Sequence, residues 1–393
     1  MLIGILGRPN SGKSTFFKAA TLVDVLIANY PFATIKPNRG IAYVKIKDFA
    51  ADFGKVSNPR EGYVKSGFRF VPFELMDVAG LVAGASEGRG LGNEFLSDLA
   101  GADAFIHVVD ISGEYDGEGK PAENYYPGKD IEIIEKELDL WYFGILMKVW
   151  IAFSRNLEMQ KKKFEEAVAK QFSGLKVEEE DVRYIIGKGK FNVDKPSNWK
   201  EEEIFRFAQL LRKETKKMII AANKMDTLKA RENLEKIKEE FDYPIVPCFA
   251  EGELALREAD KNKIIEYVPG EKSFKIISDG KLNEKQKAAL DNISEIMDEY
   301  ESTGIQEVLN RIVFEILGFN AIYPAGLKLT DSKGNVLPDC FLMPPKSTAL
   351  DFAYRLHTDI GNNFVKAIHI KTKQAVGKDY ILKNGDGLEI LTK

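Results

Sequence analysis

Lys13 and Ser14 belong to the run Gly7-Arg8-Pro9-Asn10-Ser11-Gly12-Lys13-Ser14-Thr15, which matches G-x-x-x-x-G-K-[ST]. Residues of these types at this spacing bind phosphate. Gly7 and Gly12 let the backbone curl until successive N–H groups face the phosphate oxygens, and Lys13 reaches the β- and γ-phosphates. The Ser14 hydroxyl is placed to ligate Mg²⁺, and the helix start behind it adds partial positive charge. The expected nucleotide-contacting set is Gly7, Pro9, Asn10, Ser11, Gly12, Lys13, Ser14 and Thr15.

Further groups suited to a triphosphate follow in order. Thr34 stands in a two-proline loop, Asn29-Tyr30-Pro31-Phe32-Ala33-Thr34-Ile35-Lys36-Pro37-Asn38. A hydroxyl there can close on Mg²⁺ and the γ-phosphate in the triphosphate state alone. Asp77-Val78-Ala79-Gly80 ends the apolar run Phe68–Met76. Asp77 is expected to hold Mg²⁺ through water, and the Gly80 N–H to meet the γ-phosphate. D-x-x-G is common by itself; its weight here comes from following a phosphate loop and ending a strand. The glycine-rich Gly80–Gly92 reads as a second switch. Residue 81 is leucine, which cannot hydrogen-bond an attacking water. Hydrolysis then waits for a partner, or another group positions the water. Asn10 has two readings. Its side-chain oxygen can hold K⁺ beside the phosphates, where a cation neutralises charge developing in the transition state. Alternatively it satisfies loop backbone groups, as asparagine does in ordinary turns.

Asn223-Lys224-Met225-Asp226 has the chemistry to choose a base. The Asp226 carboxylate can accept from both N1–H and the 2-amino group of guanine, whereas adenine presents an acceptor there. Sites built on such pairing discriminate by about 10⁴–10⁵. The Lys224 stem is expected along the base face, and Asn223 is expected to tie the base loop to the phosphate loop. Ala250 is expected to offer its backbone N–H to guanine O6, although Phe249 departs from the serine usual before it.

These groups need strands to hold them. Leu2–Leu6 reads as a buried parallel strand and Phe16–Leu22 as the helix after the phosphate loop. Ile41–Ile46, Phe68–Met76, Ala104–Asp110, Met218–Ala222 and Ile245–Cys248 supply further strands. Motifs at strand carboxyl ends imply a doubly wound α/β sheet. Far more chain lies between Asp110 and Met218 than one crossover helix needs. Gly113–Lys129 reads as a loop and Asp130–Gln171 as one long helical pattern, with Ile134, Leu138, Trp141, Ile145 and Val149 at three- and four-residue spacing. Lys161–Lys163 reads as a solvated face. More helix is expected at Glu178–Ile186, Glu201–Lys217 and Leu282–Phe319. In the tail, strand-like Leu327–Thr330 and Val365–Ile370 flank helix-like Thr348–Thr358, a small sheet over one helix.

The chain of 393 residues has room for two or three domains, and its 44% apolar and 30% charged residues are those of a globular protein. A net charge of −4 means that any RNA contact needs a local patch. Cys248 and Cys340 suit core positions in a reducing compartment rather than a metal site or disulfide. His107, His357 and His369 have no nucleophile or metal partner at useful spacing and read as structural. No signal peptide precedes the first strand, and Trp141–Phe153, interrupted by Lys148, is too short to span a bilayer. A cytoplasmic protein without membrane contact is expected.

The stretches GRPNSGKST, NYPFATIKPN, DVAGLVAGASEGRGLGNEFL, ALDFAYRLHTDIGNNF and LKNGDGLEI resemble the Obg group of GTPases. Within it they resemble the YchF-like proteins, over nearly the whole chain. Leu81 fits, since that group carries a hydrophobic residue there. The resemblance implies a P-loop GTPase domain at 1–112 and 207–320, an inserted helical domain at 113–206 and a TGS β-grasp domain at 321–393. YchF proper has a base motif ending in glutamate and prefers ATP. Here Asn223, Lys224 and Asp226 are intact, as in the sister branch that retains N-K-x-D, so the ATP preference is not carried over. The implied reaction is hydrolysis of GTP to GDP and phosphate with Mg²⁺. The implied partners are GTP, GDP and a ribosome or RNA, with a monomer favoured. A slow switch in translation is the first expectation. Its alternatives are a nucleotide-dependent interaction protein in stress signalling and ATP hydrolysis, which Asp226 disfavours.

Overall fold

In a computed structural model, residues 1–21, 38–78, 100–117, 119–278, 280 and 282–393 are described. Thr34, Gly80, Leu81 and the two switch loops lie outside them. The chain forms two compact units, Met1–Ala19 with Leu75–Glu258 and Leu282–Ile305, and Ala20–Glu74 with Ala259–Lys281 and Gln306–Lys393.

The first unit is built on parallel strands that are buried on both faces. Strand β1 (Leu2–Leu6) is buried at every position and leads into α1 (Lys13–Thr21). Strand β2 (Arg39–Lys47) and the short β3 (Tyr63–Lys65) lie in the other unit and pair with the first part of β4 (Phe68–Asp77). The last residues of β4 return to the first unit, where the Val78 N–H donates to the Ile5 carbonyl at 3.2 Å. Strand β5 (Ala104–Asp110), seven buried residues, pairs in parallel with β1, setting Leu6 opposite His107. Both faces of such a strand need covering, hence its predominantly apolar run.

The insert follows β5. Its helix α2 (Gly128–Gln160) turns Ile134, Leu138, Trp141, Tyr142, Leu146 and Trp150 inward. The single helical pattern expected over Asp130–Gln171 is instead two helices. Lys161 adopts the left-handed conformation (φ 51°), closing α2, and α3 (Phe164–Gln171) starts afresh. Lys161–Lys163 is therefore an exposed break rather than a helix face. Helices α4 (Glu179–Gly189) and α5 (Glu201–Thr215) complete the insert. Trp150 stacks on Trp199 with ring centroids 5.1 Å apart, and the buried Arg212 Nε donates to Asp139 Oδ1 at 2.7 Å.

Strand β6 (Lys217–Asn223) pairs in parallel with β5, placing Asn223 opposite Asp110. After α6 (Ala230–Glu240), β7 (Ile245–Cys248) pairs with β6 and sets Cys248 beside Asn223. Helix α7 (Ala250–Lys261) begins directly behind it. The registers thus bring the carboxyl ends of β1, β5, β6 and β7 to one edge. The helical pattern over Leu282–Phe319 is also interrupted: one helix covers Glu284–Tyr300, and a second starts at Ile305.

The second unit contains a five-stranded mixed sheet, Phe341–Met343, Asn320–Pro324, Gly387–Thr392, Phe364–His369 and Ala375–Val376 in that spatial order. It folds over the helix Ala349–Leu356, whose Phe352 packs with Ile322, Met343, Ala367 and Leu388. The expected strand at Leu327–Thr330 is reduced to an isolated bridge from Thr330 to Val336. His357 caps the short helix after it, its Nδ1 accepting from the Asp359 N–H at 3.1 Å. Among the described residues no helix is long and apolar enough to cross a membrane.

Candidate nucleotide site

The loop from β1 to α1 curls through two left-handed residues, Asn10 (φ 65°) and Gly12 (φ 86°). Within it Ser11 N–H donates to Arg8 O at 3.3 Å, and Phe16 N–H to Gly12 O at 2.8 Å. Close approach requires glycine at both Gly7 and Gly12, and at Gly12 conformation requires it too. A Cβ on Gly7 would stand 2.8 Å from the Val108 carbonyl, and one on Gly12 would stand 2.2 Å from Asn223 Nδ2. The buried Ser11 Oγ has no partner among the described residues.

Lys13 forms an ion pair with Asp77, and Ser14 Oγ donates to Asp77 Oδ2 at 3.4 Å. One hydroxyl and one carboxylate beside a lysine form an all-oxygen donor set too small for a protein cage. A site that leaves most positions to waters and phosphate oxygens fits Mg²⁺. No cluster of three or more His, Cys, Asp or Glu suited to a metal occurs among the described residues.

Asn223 joins three motifs. Its Nδ2 donates to Ser11 O at 3.0 Å, and its Oδ1 accepts from the Ala250 N–H at 3.1 Å. The link from base loop to phosphate loop is thus present. It has a consequence for Ala250, expected to face guanine O6: that N–H, one of the unpaired donors at the start of α7, is taken by Asn223. Lys224, in the left-handed region (φ 68°), donates from Nζ to Asp110 Oδ2 at 2.6 Å and lies 4.7 Å above the Tyr115 ring. Ser112 fixes the same carboxylate through its N–H and hydroxyl, 2.9 and 2.6 Å from Asp110 Oδ1. Asp110 is a member of the site that motif reading missed. Its only signal was a charge ending a largely apolar strand.

Asp226 reaches the surface, yet desolvation raises its carboxyl above the ordinary range, with repulsion from Glu251 and Asp110 adding to the shift. A cavity of about 610 Å³ opens beside it, walled by Ser112, Glu114, Asn124 and Thr227. Asn10 Nδ2 donates to Gly119 O at 2.9 Å, so its amide is engaged by the loop between β5 and α2. Pro9 stands beside Gly119 in the same contact, and Thr15 lies in the first turn of α1. The structure therefore gathers Gly7–Thr15, Asp77, Asn223, Lys224, Asp226 and Ala250 at one edge of the sheet. His107 is not among the site's polar groups: it is fully buried in β5, and desolvation first, then Arg8, lowers its pKa to about 3.

Comparison with known proteins agrees with this geometry. Residues 2–139 match the family model described as 50S ribosome-binding GTPase. Residues 221–326 match the Obg-like GTPase YGR210-like, G4 motif-containing domain, and 330–392 match the TGS domain. A GTP-binding protein of Methanocaldococcus jannaschii is 45% identical over 394 residues, covering 100% of this chain and 99% of its own length. The ribosome-binding ATPase YchF of Buchnera aphidicola is 27% identical, covering 99% of this chain and 98% of its own. The crystal structure of a GTP-binding protein from Pyrococcus horikoshii superposes with a TM-score of 0.80 at 36% identity, each chain covered in full. A P-loop fold, an intact base motif and a TGS module, matched end to end, place this chain in the YchF-like branch of the Obg family of GTP-binding proteins.

Proposed function

We propose that this protein hydrolyses GTP to GDP and phosphate as a slow switch acting on the ribosome or RNA in the cytoplasm. The observation that carries the base choice is Asn223, which ties an intact Asn-Lys-x-Asp to the phosphate loop. Asp226 then meets the guanine donors, and an adenine would leave a partly desolvated carboxylate unpaired. Lys13 leaves Asp77 for the β- and γ-phosphates. Ser14 and Asp77 would hold Mg²⁺, Asp77 through water, with Thr34 completing the set in the triphosphate state. The metal, when bound, would supply positive charge to neutralise the phosphates. The water oxygen bonds to the γ-phosphorus as the bond to the β–γ bridging oxygen breaks; GDP leaves with that electron pair, and the water's proton passes to the released phosphate. Lys13 and the Gly80 N–H hold the γ-oxygens during this exchange, so the chain's contribution is position and charge. Leu81 gives the water no hydrogen bond, which makes turnover slow. Asn10 Oδ1 would hold K⁺, with Nδ2 still donating to Gly119 O.

Ribosome or RNA as the output rests on the printed names of relatives and on the TGS module. The test is steady-state hydrolysis of GTP and ATP by purified protein with Mg²⁺, in K⁺ and again in Na⁺. GTP selectivity is expected, with faster turnover in K⁺. Preference for ATP, the substrate class named in the YchF relatives, would overturn the base assignment. Cosedimentation with ribosomes should be stronger with a non-hydrolysable GTP analogue than with GDP, and equal pelleting would remove the switch reading.

A further inference from the structure

Arg8 follows the first glycine of the phosphate loop, yet its side chain turns away from the cradle into the protein. Its Nη1 lies 3.2 Å from Asp130 Oδ1 in the first turn of α2, with both side chains nearly inaccessible. The Tyr125 hydroxyl donates to the same oxygen at 2.8 Å. Gly117 presses on the guanidinium so closely that a Cβ there would stand 2.4 to 2.6 Å from Nη1, Nη2 and Cζ. Two residues on, Gly119 O holds Asn10. The backbone of Arg8 meanwhile belongs to the cradle, since its carbonyl accepts the Ser11 N–H. One residue is thus fixed to the foot of the insert by its side chain and to the phosphate loop by its main chain.

A buried ion pair is costly to desolvate, and an apolar side chain of similar size often serves stability as well or better. What an apolar side chain cannot do is fix a position by directional bonds. Arg8 Nε, buried without a partner among the described residues, adds to the cost. Burial, with the Asp130 carboxylate beside it, keeps the Tyr125 hydroxyl protonated and therefore a donor.

We propose that Arg8 is a positioning residue: with Asp130 and Tyr125 it sets the phosphate loop against the foot of helix α2, so that nucleotide binding and the ordering of that helix start are coupled. The proposal rests on the nucleotide-binding reading above. Coupling of this kind is reciprocal. Whatever the nucleotide does to the first turn of α2, a partner holding that turn does to nucleotide affinity. The helical insert then has a defined physical connection to the site through Arg8, Asp130 and Tyr125.

The experiment measures affinity for GDP and a non-hydrolysable GTP analogue, melting temperature, and hydrogen exchange over residues 128–140 with and without nucleotide. The proteins are the full chain and its Tyr125→Phe, Arg8→Lys and Arg8→Ala variants. In the unaltered chain, nucleotide should slow exchange in the first turn of α2. Tyr125→Phe should lose that protection and bind about fivefold more weakly, a typical coupling, at little cost in melting temperature. Arg8→Ala should bind more weakly still, with partial recovery in Arg8→Lys. If Arg8→Ala fails to fold, Tyr125→Phe carries the test. Normal affinity in Tyr125→Phe and Arg8→Lys, with exchange in α2 indifferent to nucleotide, would reduce the cluster to a structural staple and overturn the proposal. Failure of the unaltered chain to bind either nucleotide would instead sink the site reading and the proposal with it.

Discussion

Desolvation holds the Asp226 carboxyl above its ordinary value, with Glu251 and Asp110 adding repulsion. A guanine base bound as proposed would reverse that shift, because its two donors would favour the charged carboxylate. The free site therefore has the higher pKa and the complex the lower one. Affinity should be full above the raised value, and should fall as pH drops through it toward the value in the complex. Within that window binding releases a proton. Calorimetry of GDP binding in buffers of different ionisation enthalpy should detect the release, and Asp226→Asn should abolish it while shifting preference toward xanthine nucleotides. Asp226, Lys13 and Asn223 were legible as candidates because each motif position admits few residue types, and the structure supplies the Asn223 link to the phosphate loop. It did not reveal Asp110 or the side-chain partner of Arg8. Those pairings span 114 and 122 positions and exist only once the sheet register is set.

At the scale of elements, the edge of the sheet tolerates little. Gly12 stands where Asn223 from β6 crosses the phosphate loop, and its φ is +86°. Gly12→Ala should therefore cost more in function than in fold. We expect nucleotide affinity to fall at least about tenfold, as strain of about 1–3 kcal/mol displaces Asn223 from Ser11 O. Parallel binding isotherms and thermal melts would check the contrast. The helices show the limit of pattern reading. Apolar spacing located α2 and α5, whereas the break at Lys161 carries neither glycine nor proline. A lysine in the left-handed region costs about 1 kcal/mol relative to glycine. Lys161→Gly should stabilise the protein by about 0.5–1 kcal/mol, read as a raised urea midpoint. Strand ends were legible to within a residue for β1, β5 and β7, each an apolar run with clear punctuation. Short strands such as Tyr63–Lys65 and Ile265–Tyr267, which depend on their neighbours, were not.

For the molecule as a whole, the C-terminal module shares its packing with the strands before the D-x-x-G motif. Phe49 and Ala50 lie in one cluster with Tyr323, Leu329, Leu337 and Ile370, and the buried Arg69 donates to the Leu337 and Pro338 carbonyls. That association could not be read from sequence, since each segment scans as a self-sufficient strand or turn. Deleting residues 321–393 should uncover Phe49 and orphan the Arg69 donors. Loss of solubility or a clearly lower melting temperature is expected, and a soluble remainder with unchanged melting would contradict it. The nucleotide edge has a different kind of self-sufficiency. Lys13 is neutralised by Asp77 and Lys224 by Asp110, so the chain already balances the charges it will offer to a ligand. An incoming anion competes with a resident carboxylate, and Asp77 is left without a counter-charge unless a cation arrives too. Sulfate or phosphate alone should bind poorly here, and affinity should vary with salt less steeply than at a bare cluster of lysines. Nucleotide and divalent metal should each raise the other's affinity, by linkage. Asp77→Asn should break that dependence: metal-free GDP should bind more tightly than to the unaltered chain, and added metal should improve it little.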